Sequence, residues 1–298
     1  MNTDQPLFIL CPGRSFSSVV CMAIGQHPQL YGLPEIYLGI VDTLNEWFAL
    51  AKKPGRKHMH QGLLRVIAQL HHSAQTEEAV LEARAWLQQR CEWSTTKLYH
   101  YLADRIAPRQ LVDKSPTMGK QQNLERLHAV FPNAYFLHLT RHPRSTGNSF
   151  FRVKSAKAAL KGYPDPDRLA AMIEKHWVQI HQQILQFTDH LPEGQAMRLQ
   201  GEDLLETPDR YFRQIAEWLN LRTDSAAIGA MMHPEHSPYA HIGPSNAPHG
   251  NNRGFLEQPE LKVGRPSFVS LTGPMEWSRE GQDFAPATLR LARQLGYQ

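Results

Sequence analysis

Four consecutive large apolar residues, Leu7-Phe8-Ile9-Leu10, run straight into Cys11-Pro12-Gly13. A second apolar stretch begins at Ser17 and stops at Gly25 and His27-Pro28. So short a run without polar alternation suits a strand buried on both faces, the condition of a parallel sheet covered by helices. Residues 17–26 read as a buried helix closed by glycine and a His-Pro pair. This strand–loop–helix unit commits the chain to an α/β architecture.

The rest of the chain follows the same alternation. Strand patterns recur at 110–112, Tyr135–Thr140 and Ala196–Gln200. Between the last two, Leu169, Met172, Ile173, His176, Trp177, Ile180, Ile184 and Phe187 lie at helical spacing. Thr207-Pro208 reads as an N-cap with proline at the first helical position, opening a helix through Asn220. Strands alternating with helices predict a central parallel sheet covered on both sides. Two regions differ. Residues 36–110 hold helical patterns (62–70, 77–90, 97–106) with few strand signals, and read as a helical cap or insertion. Residues 233–266, rich in Pro, Gly, Asn and His, read as a long ordered loop of the kind that usually serves a function.

Composition sets outer limits. At 298 residues the chain can bury a large core as a single domain, and 41% hydrophobic residues exclude a disordered class. The formal charge of +4 favours anionic ligands and is too small to indicate a nucleic-acid partner. Three cysteines without a C-x-x-C pair predict neither a disulfide framework nor a cysteine zinc site. The apolar start is too short for a signal peptide and no 18 apolar residues run together, so the expectation is a cytoplasmic protein without a membrane span.

Two segments carry anion chemistry. The loop Cys11-Pro12-Gly13-Arg14-Ser15-Phe16-Ser17-Ser18 brings hydroxyls and a guanidinium to a helix start, where unpaired N–H groups and the dipole already favour phosphate or sulfate. An ordinary turn before a buried helix would use similar residues. The lysine of G-x-x-x-x-G-K-[ST] is missing, which disfavours magnesium-dependent γ-phosphate chemistry. The second segment, Arg141-His142-Pro143 with Ser149 eight residues on, follows a strand end, where open parallel sheets bind ligands. A surface arginine with a capping serine is the bland equivalent. Two such segments on one sheet imply a ligand phosphorylated at two places.

At these residues the sequence resembles the sulfotransferases that use 3′-phosphoadenosine-5′-phosphosulfate. Their 5′-phosphosulfate loop, P-R-S-G-[ST]-[ST], is matched by Arg14, Ser15, Ser17 and Ser18. Their 3′-phosphate element, R-[HD]-P followed by Ser, is matched by Arg141, His142, Pro143 and Ser149. Asp113-Lys114-Ser115-Pro116 resembles D-K-[ST]-P, and 201–221 resembles Y-E-D-L…P…F-L-G. Gly243-Pro244-Ser245-Asn246-Ala247 and 250–256 resemble the C-terminal cofactor loop of a bacterial branch. The chain departs at Gly13 (usually Pro), Phe16 (usually Gly) and Gly201 (usually Tyr). If position 16 needs a positive φ, phenylalanine there costs about 1–2 kcal/mol.

The resemblance implies a three-layer, P-loop-like α/β fold and sulfuryl transfer by in-line displacement to a hydroxyl, less readily an amine. The acceptor would be a small molecule, glycan or lipid; adenosine 3′,5′-bisphosphate is the product, and no metal is expected. It assigns Arg14, Ser15, Phe16, Ser17 and Ser18 to the 5′ end, and Arg141, Ser149 and Arg152 to the 3′-phosphate, with Asn251, Arg253 and Gly254 from the late loop. Lys114, at the end of the second strand, would face the bridging oxygen. Taken alone it reads as a solvated strand-end charge. Glu35 or His241 would take the acceptor's proton. Imidazole has the better unperturbed pKa, about 6.5, whereas a carboxylate reaches the working range only when buried. Position favours Glu35, with His241 as partner or substitute. The alternatives are a kinase-like nucleotide phosphotransferase and a non-catalytic module that binds the bisphosphate. The histidines at 58, 60, 71, 72, 233, 236, 241 and 249 are too loosely spaced to predict zinc, and the basic run 52–58 reads as a solvated loop. Cys11 reads as a strand-end hydrophobe.

Overall fold

The computed structural model describes residues 5–115, 118–158, 166–264, 269–278 and 281–298. Pro116, the first four residues and positions 265–266 of the expected long loop lie outside them. Five strands, β1 (Leu7–Leu10), β2 (Leu30–Gly32), β3 (Gln110–Asp113), β4 (Tyr135–Thr140) and β5 (Ala196–Gln200), pair in the order β2-β3-β1-β4-β5. All pairings are parallel, and Phe8 sits between Asp113 of β3 and Phe136 of β4. β1 is buried along its whole length, as its unbroken apolar run requires.

The chain leaves β1 toward β2 on one side and leaves β4 toward β5 on the other. The order therefore reverses between β1 and β4, and a crevice at the carboxyl ends of these two strands is the expected ligand position. The β1 loop and Arg141 both lie there.

Helices α1 (Ser17–Ile24), α2 (Leu44–Lys52), α3 (Gln61–His72), α4 (Glu77–Gln88) and α5 (Thr95–Ile106) occupy the first part of the chain. After β3 come α6 (Gln121–Val130), α7 (Pro143–Ala158) and α8 (Pro166–Thr188), then α9 (Gly201–Glu206), α10 (Pro208–Trp218), α11 (Ser225–Met231), α12 (Arg253–Glu257) and α13 (Pro286–Gln294). Side-chain caps fix three starts in the helical region: Thr43, Thr76 and Ser94 accept from the N–H of Glu46, Ala79 and Lys97. Under the sheet, Phe8 stacks on Phe136 at 5.7 Å and meets Tyr99 edge-on at 6.2 Å. No helix among the described residues is long and apolar enough to cross a membrane.

Several boundaries move. α1 ends at Ile24 with Gly25 as its C-cap, two residues short of expectation, because Gly25 packs on Gly32 of β2: a β-carbon on Gly25 would stand 2.4 Å from the Gly32 nitrogen. β2 itself has no sequence signature. Three residues are too few for periodicity, and pairing with β3 alone makes it a strand. Lys114 consequently follows the third strand. α10 ends at Trp218, not Asn220, which takes a positive φ of 54°. Met172 is 55% exposed, so the buried stripe of α8 is narrower than its apolar spacing predicts. The 233–266 segment is irregular except for a 3-10 turn at Pro234–His236 and α12. Buried Arg65 of α3 anchors it, its Nη1 donating to the His249 carbonyl at 3.0 Å.

Candidate active site

The β1–α1 loop turns through two non-glycine residues of positive φ, Arg14 at 71° and Phe16 at 62°. Phe16 is the N-cap of α1 and offers no capping bond, so the first amides of the helix lack a side-chain partner there. Ser15 is fully buried and its Oγ has no hydrogen bond among the described residues. A buried hydroxyl beside free helix-start amides is a ready acceptor site for an anion.

Arg141, leaving β4, donates from Nη1 to the Arg14 carbonyl at 2.6 Å, and its Cζ lies 4.0 Å over the Phe16 ring. Its Nε is buried without a partner. Arg14 in turn donates from Nε to Ser149 Oγ at 2.9 Å. Burial pushes Arg141 down to about 10; Glu202 opposes this, while Arg14 and Arg152 add to it. Arg14 is lowered too, by burial first, against Glu35 and with Arg152. Among the described residues none of these three guanidiniums has a carboxylate in ion-pair contact. Such a concentration of unpaired positive charge is costly unless an anion joins it. Glu202, raised by its burial, is engaged elsewhere, accepting from the His142 amide at 2.9 Å and the Tyr297 hydroxyl at 3.2 Å.

Beside this group lies a second network. Lys114 is 1% exposed, contrary to a solvated strand-end charge. Its Nζ donates to Ser18 Oγ and to Glu35 Oε1, both at 2.9 Å. Tyr37 donates its hydroxyl to Glu35 Oε2 at 2.7 Å. Ser18 Oγ also accepts the Asn252 amide at 3.1 Å, which leaves its own O–H to donate. The Glu35 backbone is held from two sides: its N–H donates to the Gly250 carbonyl at 2.6 Å, and Gly62 lies so close that a β-carbon there would stand 2.1 Å from the Glu35 carbonyl oxygen. Asp113, one residue before Lys114, is wholly buried and raised to about 6 by that burial, while Tyr99 donates to it at 2.6 Å.

The structure thus brings Arg14, Ser15, Phe16, Ser18, Arg141, Ser149, Lys114 and Glu35 to one end of the sheet. Ser17 is buried at the start of α1, beside Cys11, whose thiol burial drives up to about 12 and so out of nucleophilic range. Arg152 joins by charge but is exposed. Asn251 is buried, with Nδ2 on the Tyr239 carbonyl and Oδ1 unpartnered. Arg253 is exposed and pairs with Glu257 at 2.8 Å, and the Gly254 amide bonds Asn252 Oδ1. His241 is exposed; it is lowered by partial burial and by Arg65, and no described contact joins it to Glu35 or Lys114. Sequence reasoning did not single out Tyr37, Asn252 or Tyr297; Asn252 lay within the 250–256 segment already marked, and Tyr37 stands two residues after Glu35, whereas Tyr297 offered no signal.

Of the histidines, His60 stacks on Trp47 at 4.3 Å and His71 bonds the Tyr101 hydroxyl at 2.7 Å. His233, Glu235 and His236 hold their ligand atoms within 4.8 Å of one another at the surface, closer than the spacing predicts. The basic run 52–58 is exposed as expected, and His58 meets Tyr37 edge-on at 6.3 Å.

A model of the sulfotransferase family matches residues 6–225. The fold is similar to that of the sulfotransferase domain from the curacin biosynthetic pathway, with a TM-score of 0.76 and 24% identity over 99% of this chain and 98% of that one. It is also similar to the sulfotransferase domain from the Synechococcus PCC 7002 olefin synthase, with a TM-score of 0.78 and 23% identity over 99% and 95% of the two chains. A search of curated proteins finds no match.

Proposed function

The chain belongs to the sulfotransferase family, and from this premise we propose that it uses 3′-phosphoadenosine-5′-phosphosulfate to sulfate a hydroxyl, or less readily an amine, of a small-molecule, glycan or lipid acceptor. The observation that carries the reading is the contact of Arg141 with the Arg14 carbonyl. This contact joins the ends of β1 and β4, and with no carboxylate in ion-pair contact with either arginine among the described residues it favours one doubly phosphorylated ligand. The orphaned Ser15 Oγ and Arg141 Nε fit such a ligand as acceptor-seeking groups.

In this proposal Arg14, Ser15, Ser17, Ser18 and the α1 amides hold the 5′ end, and Phe16 shapes the loop. Arg141, Ser149 and Arg152 hold the 3′-phosphate, and Asn251, Arg253 and Gly254 close that side with the segment that reaches Ser18. When bound, the donor supplies a sulfuryl group whose departure leaves negative charge on a phosphate oxygen. Lys114 offers positive charge and a proton to that oxygen from Nζ, whose third N–H is free of Ser18 and Glu35. Glu35 takes the acceptor's proton, held in place by Tyr37 and Lys114. His241 is kept as the alternative base. Helices of 36–110 shape the acceptor side within a single domain of P-loop-like, bacterial type; α3 contributes through Gly62 and the basic turn through His58.

A thermal-shift titration tests the reading. Adenosine 3′,5′-bisphosphate at one hundred times its Kd should stabilise the protein by about 2.7 kcal/mol without magnesium, and Arg141→Ala should lose most of the gain. An equal response to ATP with magnesium would overturn the donor assignment in favour of a phosphotransferase. Glu35→Gln should abolish turnover and keep nucleotide binding; normal turnover with a dead His241→Ala would transfer the base to His241.

A further inference from the structure

One of the two loop residues at positive φ is also the least expected one there. Phe16 sits at φ 62°, ψ 4°, a region glycine enters freely and a side chain enters at a cost. Strain of this kind persists where the surroundings impose it, and it collects at ligand clamps. Two neighbours impose it here. The Arg141 guanidinium lies over one face of the ring, its Cζ 4.0 Å from the centroid. Gly201, the first residue of α9, lies against the ring edge: a β-carbon there would stand 2.5 Å from Phe16 Cδ2 and 3.2 Å from the Thr140 carbonyl oxygen. The space that a side chain at 201 would use is filled by the phenyl ring. The two departures from the family pattern therefore meet at one contact.

Arg141 needs the ring. Its Nη1 is committed to a backbone carbonyl and its Nε has no partner. The carboxylate that favours its charge, Glu202, spends its oxygens on the His142 amide and the Tyr297 hydroxyl. No ion pair aims the guanidinium among the described residues; the Arg14 carbonyl holds one nitrogen and the π-face of Phe16 supports its plane.

We propose that Phe16 is a positioning residue that stands in for the side chain missing at position 201, and that selectivity for a 3′-phosphorylated nucleotide depends on its ring through Arg141. The proposal rests on the donor reading above. It explains why a strained phenylalanine occupies a glycine position opposite a glycine.

The test compares affinities for adenosine 3′,5′-bisphosphate and adenosine 5′-monophosphate by calorimetry. Phe16→Leu keeps bulk at the position but removes the π-face, and should lower the bisphosphate-to-monophosphate preference by about tenfold. Phe16→Tyr should keep the preference, and Phe16→Gly combined with Gly201→Tyr should recover part of it from the other side of the cleft. A general loss of fold or loop order would weaken both nucleotides alike and leave the ratio unmoved. Wild-type protein that binds both nucleotides equally overturns the donor reading itself. Wild-type protein that discriminates, with a Phe16→Leu variant within about twofold of it, overturns the role of Phe16 alone.

Discussion

The Lys114 ammonium and the Glu35 carboxylate lie 2.9 Å apart across 79 positions of sequence, one side chain fully buried and the other 17% exposed. The asymmetry decides what each loss costs. Without Glu35, the fully buried ammonium keeps Ser18 as its remaining side-chain partner among the described residues. Without Lys114, the carboxylate keeps Tyr37 and some access to solvent. Glu35→Ala should therefore destabilise by about 3 kcal/mol and Lys114→Met by clearly less. Urea unfolding of the two variants measures the difference, and the reverse order would refute this account of the pair.

Gly62 lies in the first turn of α3, where alanine would ordinarily gain up to about 1 kcal/mol over glycine. Here a β-carbon would meet the Glu35 carbonyl oxygen at 2.1 Å, a backbone atom that cannot rotate away. Gly62→Ala should lower stability and cut turnover by about a hundredfold through displacement of Glu35, while binding of adenosine 3′,5′-bisphosphate stays near wild type. A stabilised and fully active variant would show that Glu35 does not need its present position.

His138 Nε2 and His181 Nδ1 lie 2.8 Å apart in the core between β4 and α8. Burial lowers both, His138 to about 3. The unfolded chain takes up protons near pH 6.5 and the folded chain does not, so this stability is present above about 6.5 and is lost as the pH falls toward about 3. Asp113 runs the other way: raised to about 6 by burial, it costs stability as the pH rises from about 4 to about 6. The slope is best read as a difference between proteins. Denaturation midpoints of His138→Gln should fall less steeply on acidification than those of wild type; parallel curves would sink the assignment.

The strand–loop–helix unit was legible because its signals are local. An unbroken apolar run of four residues followed by Cys-Pro-Gly suits a doubly covered strand, whereas α2 and the caps at Thr43, Thr76 and Ser94 were not read from the sequence and came from the structure. The basic character of Arg14 and Arg141 was equally plain, and topology then set both at the reversal between β1 and β4. β2 was not legible. Its three residues acquire their conformation from β3, and neither periodicity nor propensity exists over so short a span.

What the sequence determined by itself was the covered parallel sheet, the hydroxyl-rich loop and the two cationic strand ends, since each depends on residues within a turn or two of one another. What only the tertiary structure decided was partnership: that Lys114 meets Glu35 rather than solvent, that Tyr37 and Asn252 complete that network, and that Phe16 occupies the space left by Gly201. Those contacts join segments up to 234 positions apart, as between Ser18 and Asn252. Chain crossovers bring such segments to one edge of the sheet, and nothing local to either segment encodes which partner will arrive.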